Sequence, residues 1–238
     1  MDDTKGARVL IGCVTHDKHE AYVTDFLAAI RSQDYGNFDV LFVDTSANDD
    51  YTAKLRGSGY IVTKGEAGLD HSIKRITSGR NVIREYALAK GYDYVWFVDT
   101  DVIPPKDALT RLLSSGKDIN AGICLVSMNV DGSIKAMPNI YRFDGQTNMM
   151  APLQPGSADE KRLEEISAAG FGCVLVSSKA LSEVTFRYFA ESMAGEDIAF
   201  FTDAKEKGLN AFADWTVRCA HLIFPPGDPR NKRFMFDG

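Results

Sequence analysis

The sequence predicts an α/β fold: a mostly parallel sheet flanked by helices, with a smaller antiparallel element in its second half. Three observations carry this. Strand-length apolar runs recur at residues 8–15, 38–45 and 94–99, each reading as buried. The segment at 18–32 carries Tyr22, Val23, Phe26, Leu27 and Ile30 at helical spacing. Strand, helix, strand, strand, helix, strand, helix then follow in order, which is the alternation of a sheet with crossover helices.

The elements follow in order. Residues 8–15 form a first strand, 18–32 a helix, 38–45 a second strand ending in Asp44, and 60–63 a short third strand. Thr77 or Ser78 caps a helix running to Lys90, and Gly91 stops it. Residues 94–99 form the next strand, Pro104 and Pro105 end the extended stretch, and Pro105 fits the first turn of a helix with Ala108, Leu109, Leu112 and Leu113 on one face. In the second half, 119–127 is a strand, 134–143 is extended and pairs with a neighbour, and 144–160 is a polar loop. A strand at 174–176 is entered through Gly170, Phe171 and Gly172; a helix follows at 196–207, then a closing strand at 212–222 and an irregular tail over 225–238. No break in composition divides the chain. Residues 1–238 read as one domain, with a nucleotide-binding half at 1–103 and a metal and acceptor half at 104–224.

The run from Trp96 to Pro105 holds the strongest chemical signal. Side chains alternate along a strand, so Val95, Phe97, Asp99 and Asp101 share one side, and an apolar strand carries two carboxylates out at its end. Two like charges there need a cation. Hard oxygen ligands suit Mg²⁺ or Mn²⁺, held by one or two carboxylates together with substrate phosphates. The bland alternative is a solvated loop with two surface acids.

Ligands of open parallel sheets lie at the carboxyl ends of the strands, which here carry Thr15, His16, Asp44, Asp99 and Asp101. A nucleotide across that edge meets Asp44 near its base and Asp99 near its ribose. Lys74, Arg75, Arg80 and Asn81 cluster at a helix start, a setting that suits anionic phosphate. Glu196 and Asp197 open another helix, either to complement its dipole or as a general base with an acceptor-holding partner. His221 ends an apolar strand, as a core histidine or as a third metal ligand beside Asp101.

Bulk properties narrow the classes. Apolar residues make up 45% and charged residues 25%, as in ordinary globular proteins. The net charge of −6 gives no support to nonspecific nucleic-acid or anionic-membrane binding. The four cysteines lie far apart in apolar runs, so buried reduced thiols and a cytoplasmic setting are expected. Residues 1–7 lack the apolar core of a signal peptide, and no apolar stretch reaches spanning length.

Ser78-Gly79-Arg80-Asn81, then Asp99-Thr100-Asp101, then Gly195-Glu196-Asp197, then a strand ending in His221, together resemble a GT-A nucleotide-sugar glycosyltransferase of the family 2 type with its Asp-x-Asp motif. The resemblance implies metal-dependent transfer of a sugar from a UDP- or GDP-linked donor to an acceptor hydroxyl, with Mn²⁺ or Mg²⁺ as cofactor. It implies Asp101 and His221 as metal ligands and Asp99 at the ribose or the metal. Thr15, Asp44, Arg80 and Asn81 would meet the donor nucleotide, Gly170, Phe171 and Gly172 the sugar or acceptor, and Glu196 or Asp197 the acceptor. The Gln-x-x-Arg-Trp motif of processive members is absent, so polysaccharide synthesis is not expected. Two rivals remain. A sugar-phosphate nucleotidyltransferase is disfavoured because no glycine-rich, lysine-bearing loop follows the first strand. A noncatalytic nucleotide-sugar-binding module would keep the same fold.

Overall fold

The computed structural model describes residues 6–66, 68–130, 132–146, 149–153, 163–191 and 195–236. Its main sheet is built on β1 (Val9–Thr15), flanked by β2 (Phe38–Asp44) with β3 (Ile61–Lys64) beyond, and on the other side by β4 (Tyr94–Val98). These four are parallel, in the order β3, β2, β1, β4. The chain builds outward from β1 and then jumps to its other side. That reversal opens a crevice at the carboxyl ends of β1 and β4.

Helices fill both faces. α1 (Glu20–Arg31) and α4 (Ala108–Ser114) cover one, and α3 (Ser72–Lys90) and α6 (Glu196–Glu206) the other; α2 (Asp50–Gly57) leads into β3. Alternation along β1 divides its side chains between two cores. Leu10 packs with Ile83, Phe97 and Phe200, whereas Val9, Ile11 and Cys13 pack with Phe26, Trp96 and Leu109.

The second half extends the sheet with antiparallel pairing. β5 (Val102–Ile103) is a short strand just after the turn that ends β4. β6 (Ile119–Ile123) breaks at Cys124, and the chain continues as β7 (Leu125–Val130), which forms a hairpin with β8 (Ser133–Pro138). The single expected strand at 119–127 is therefore two, and the extended stretch at 134–143 divides into β8 and β9 (Ile140–Asp144). Part of the expected loop at 144–160 is strand, because β10 (Met149–Pro152) pairs with β9; 147–148 and 154–160 lie outside the described residues. β11 (Leu163–Ile166), β12 (Ala168–Ala169) and β13 (Cys173–Ser177) follow, then α5 (Ser178–Glu183). β13 slots antiparallel between β4 and β6. The closing strand divides into β14 (Ala211–Arg218) and β15 (Ala220–His221), and β15 pairs with β5. The tail is less irregular than expected: a 3-10 turn at Pro229–Phe234 buries Asn231 and Phe234. All four cysteines are buried and free, as expected, and three converge, with the Cys219 thiol in hydrogen-bond contact with those of Cys124 and Cys173. Among the described residues no helix is long and apolar enough to cross a membrane.

The largest departure is α3. It starts at Ser72 rather than at 77–78, capped by the His71 ring, which accepts from Ile73 N–H at 3.3 Å. Thr77 spends its hydroxyl inside the helix, on the Ile73 carbonyl at 2.7 Å. Gly79 is therefore no boundary but a contact point. A Cβ there would stand 2.9 Å from both Val14 methyls, and a Cβ on Gly12 would stand 2.4 Å from Ile83 Cγ2. Two glycines, one on each element, let α3 lie directly on β1. Gly91 ends the helix at φ 69°, as expected.

This contact predicts an asymmetry. Gly12→Ala should cost about 1–3 kcal/mol in urea unfolding, because the branched Ile83 has nowhere to move. Gly36→Ala, with nothing within 4 Å, should stay within about 0.5 kcal/mol of wild type. Equal effects would refute the close-packing account.

Candidate active site

A cleft of about 250 Å³ lies at the β1–β4 crevice. The end of β1 gives it Val14 and Thr15, and the turn into α1 gives His16, Lys18 and His19. From α3 come Ser72, Ile76 and Arg80, successive at four-residue spacing on one face, together with Arg75. Asp99 and Asp101 close it from the end of β4. Three permanent cations thus share one small cleft with two carboxylates.

The two carboxylates do not alternate along one strand, as the sequence suggested. β4 ends at Val98, and the chain turns: Asp99 N–H donates to the Gly172 carbonyl at 3.1 Å and its own carbonyl accepts from Val102 N–H at 3.0 Å. The turn brings Asp101 round to His221, whose Nε2 is 3.7 Å from an Asp101 oxygen. The β5–β15 pairing fixes this, with Leu222 N–H donating to the Asp101 carbonyl at 2.8 Å. On the far side of the ring, Nδ1 is 2.9 Å from the Leu125 carbonyl. A carbonyl only accepts, so Nδ1 carries the proton and the neutral ring keeps its Nε2 lone pair facing Asp101. Burial would lower the His221 imidazole, but the hydrogen bond and charge of Asp101 outweigh it and raise it above its ordinary value. Burial likewise opposes the Asp101 charge, and His221 overcomes it and holds that carboxyl low.

Arg80 is 5% exposed and sits two turns inside α3, not at a helix start. It donates to Glu196 at 2.6 Å and lies 3.7 Å from Asp99, with its guanidinium 5.0 Å from the Phe171 ring centre. Asp99 is nonetheless raised to about 6, chiefly by burial, which Arg80 opposes and Asp101 reinforces.

Several expected contacts are placed differently. Asp44 is fully buried, and its carboxylate accepts from Ser46, Thr52 and Lys64, which ties down the carboxyl end of β2. Burial would raise it, but the Ser46 and Thr52 bonds outweigh that and hold it low. Asn81 spends both ends of its amide on the Phe186 main chain, each at 2.9 Å, on a different side of α3 from the cleft. Phe171 points inward to Phe97, Phe186 and Phe200. Gly170 has no room for a side chain against Asn139, and a Cβ on Gly172 would lie 3.6 Å from an Asp99 oxygen. Glu196 accepts from Arg80 with one carboxylate oxygen, at 2.6 Å. Asp197 accepts from Ile198 N–H at 2.7 Å with one oxygen, and burial followed by the Glu196 charge raises its carboxyl rather than depressing it as a helix N-terminus would. Thr15 lines the cleft and pairs with the Tyr51 hydroxyl at 3.0 Å.

Lys18 and His19 also line the cleft, two residues the sequence did not mark out. The signal was available: polar residues directly after a buried parallel strand lie on the ligand edge.

The donor set fits a hard divalent cation. Among the described residues no three His, Cys, Asp or Glu side chains form a ready-made cluster. Two ligands at roughly 2.1 Å from one ion stand about 3.0–4.2 Å apart, and the Asp101–His221 separation of 3.7 Å lies in that range. The carbonyl behind His221 is the support that metal-binding histidines carry.

Comparison with solved structures places the fold among known ones. A197 from STIV matches over 92% of this chain and 87% of its own, with TM-score 0.54 and 17% identity. The S. aureus TarS 1–349 structure in complex with UDP matches over 82% of this chain and 54% of its own, with TM-score 0.52 and 17% identity. GalNAc-T7 with UDP, GalNAc and Mn²⁺ has TM-score 0.65 at 11% identity, over 90% of this chain and 44% of that one. The chain thus spans about half or less of the last two. No curated protein sequence matches significantly. The sequence model for "Glycosyl transferase family 2" matches residues 11–185. With that match over most of its length and a sheet like those of the GT-A enzymes, the chain belongs to glycosyl transferase family 2.

Proposed function

We propose that this chain transfers a sugar from a nucleoside-diphosphate donor to an acceptor hydroxyl, with Mn²⁺ or Mg²⁺ held by Asp101 and His221. The observation that carries this is the cleft itself, where Lys18, Arg75 and Arg80 gather beside Asp99 and Asp101 at the switch in strand order. An anionic diphosphate suits the first group and a cation the second. That TarS was crystallised with UDP, and GalNAc-T7 with UDP and Mn²⁺, supports the same reading.

The bound cation would stabilise the negative charge that develops on the departing diphosphate. The chain's own residues do the rest. Lys18 and Arg75 offset phosphate charge in the cleft. Arg80, fixed by Glu196, orients Asp99 and sets the start of α6 beside the strand ends. As the acceptor oxygen bonds to the anomeric carbon and the sugar–phosphate bond breaks, the acceptor proton passes to Asp197. A raised carboxyl is a better base than a depressed one, and its second oxygen is free of the Ile198 bond. This assignment makes the enzyme inverting.

A thermal-shift panel of UDP-, GDP-, CMP- and dTDP-sugars, with and without Mn²⁺, tests the reading. The true donor at 100 times its dissociation constant should add about 2.7 kcal/mol, and only with metal. Asp101→Ala should abolish the metal requirement together with transfer, and full transfer in excess EDTA would sink it. His221→Ala should weaken Mn²⁺ by at least about 100-fold while the metal-free melting temperature holds. A fall in that temperature with unchanged Mn²⁺ affinity would make His221 a core residue instead.

The raised His221 sets a pH dependence. The protonated ring has no lone pair for a metal, so Mn²⁺ affinity should be full above the raised value and fall as pH drops through it, with a proton released on binding. Calorimetry in buffers of different ionisation enthalpy reads this directly; pH-independent affinity would exclude the imidazole as ligand.

Asp197→Asn should lower turnover by about 10²–10⁴ with donor affinity near wild type. Near-normal transfer by the variant, or a product of retained anomeric configuration by NMR, would remove Asp197 as the base.

A further inference from the structure

The cleft is lined by a histidine that none of the roles above uses. His19 ends the turn from β1 into α1 and lines the cleft. Its Nδ1 lies 3.1 Å from the Thr100 hydroxyl oxygen, and its ring meets Tyr22 edge-on at 5.8 Å. Thr100 is the middle residue of Asp99-Thr100-Asp101. The turn that sends the two carboxylates into the cleft sends Thr100 inward, where it is 0% exposed.

The partner fixes the ring's tautomer. A buried hydroxyl hydrogen needs an acceptor. Among the described residues, the one hydrogen-bond partner of Thr100 Oγ1 is His19 Nδ1. The Thr100 O–H therefore donates to Nδ1, and the neutral ring carries its proton on Nε2. His221 is the reverse, with its Nδ1 proton given to a carbonyl and a lone pair left on Nε2. One offers a lone pair; the other offers a donor.

We propose that His19 is a donor-positioning residue, its Nε2–H bonding a phosphate oxygen of the nucleotide diphosphate, with Thr100 as the residue that holds it in that tautomer. This rests on the reading of the cleft as a nucleoside-diphosphate site. Lys18 and Arg75 supply charge there, which attracts phosphate without fixing its direction. A neutral N–H on a ring pinned by a buried threonine supplies direction and costs little in side-chain ordering. It also explains why the central residue of the acidic triplet bears a hydroxyl.

The experiment compares UDP and GDP, each with Mn²⁺ and followed by calorimetry, against uridine and guanosine followed by NMR shift titration. His19→Ala should weaken the nucleoside diphosphate that wild type binds by about tenfold and leave the matching nucleoside unchanged. His19→Gln, which keeps an N–H at a similar reach, should stay within about threefold of wild type. Thr100→Val, which keeps the buried shape and removes the hydroxyl, should lose several-fold for the diphosphate only. Unchanged diphosphate affinity in His19→Ala, or an equal loss for nucleoside and diphosphate, would overturn the inference while leaving the cleft's reading intact. Wild type that binds neither diphosphate would overturn both.

Discussion

The buried guanidinium of Arg80 is the constraint on which the site depends. At 5% exposure it has lost most of its water, and an unpaired charge there would be costly. Glu196 answers it at 2.6 Å, Asp99 stands at 3.7 Å, and the faces of Phe171 and Phe186 lie 5.0 and 6.0 Å away. These partners come from α6, the end of β4 and the segments around β13 and α5. One side chain therefore requires four distant stretches of chain to converge. Breaking one partner of such a pair strands the other charge, so the convergence is fixed in geometry whatever its net contribution to stability. The closer bond goes to Glu196, and burial raises the Asp99 carboxyl to about 6 although Arg80 opposes the shift.

Arg80 reaches that position because α3 lies so close to β1. Gly12 and Gly79 remove the two side chains that would hold the elements apart. The same face of α3 that carries Gly79 carries Ser72 and Ile76 into the cleft. Packing and recognition are thus one feature: the helix that closes the core on one face also walls the ligand crevice. The reversal in strand order opens that crevice, and the close helix gives it depth.

Much of this was legible in the sequence. The buried strands at β1, β2 and β4 showed as apolar runs, and the Asp-x-Asp turn, the Glu196–Asp197 helix start and His221 were singled out from their places at element ends. What was not legible depended on tertiary contacts. Ser78-Gly79 reads as a helix boundary locally, and only the Val14 methyls explain a glycine inside a helix. Asp44 reads as a ligand at a strand end; its bond from Ser46 is local, but those from Thr52 and Lys64 come from residues that sequence spacing does not bring to it. Asn81 reads with Arg80 as one motif, although a step of one residue turns it about 100° round the helix, toward the Phe186 main chain. α2 was missed because its eight residues bury only Tyr51, Thr52 and Leu55. β11 and α5 were missed because they are as short.

The chain carries a net charge of −6, yet its cleft collects Lys18, Arg75 and Arg80. The two facts concern different distances. Charges farther apart than a Debye length of about 8 Å are largely screened at physiological salt, so the global excess says little about a ligand inside a crevice. Within it, what matters is which charges remain unspent. Glu196 occupies much of Arg80, and the Arg75 guanidinium donates to the Leu69 carbonyl at 3.0 Å, a bond that positions it without cancelling its charge. Asp101 faces the His221 ring, and Asp99 is offset only in part by Arg80. The cleft is therefore neither a plain anion site nor a plain cation site. Positive charge from the turn before α1 and from α3 faces carboxylate beyond the end of β4.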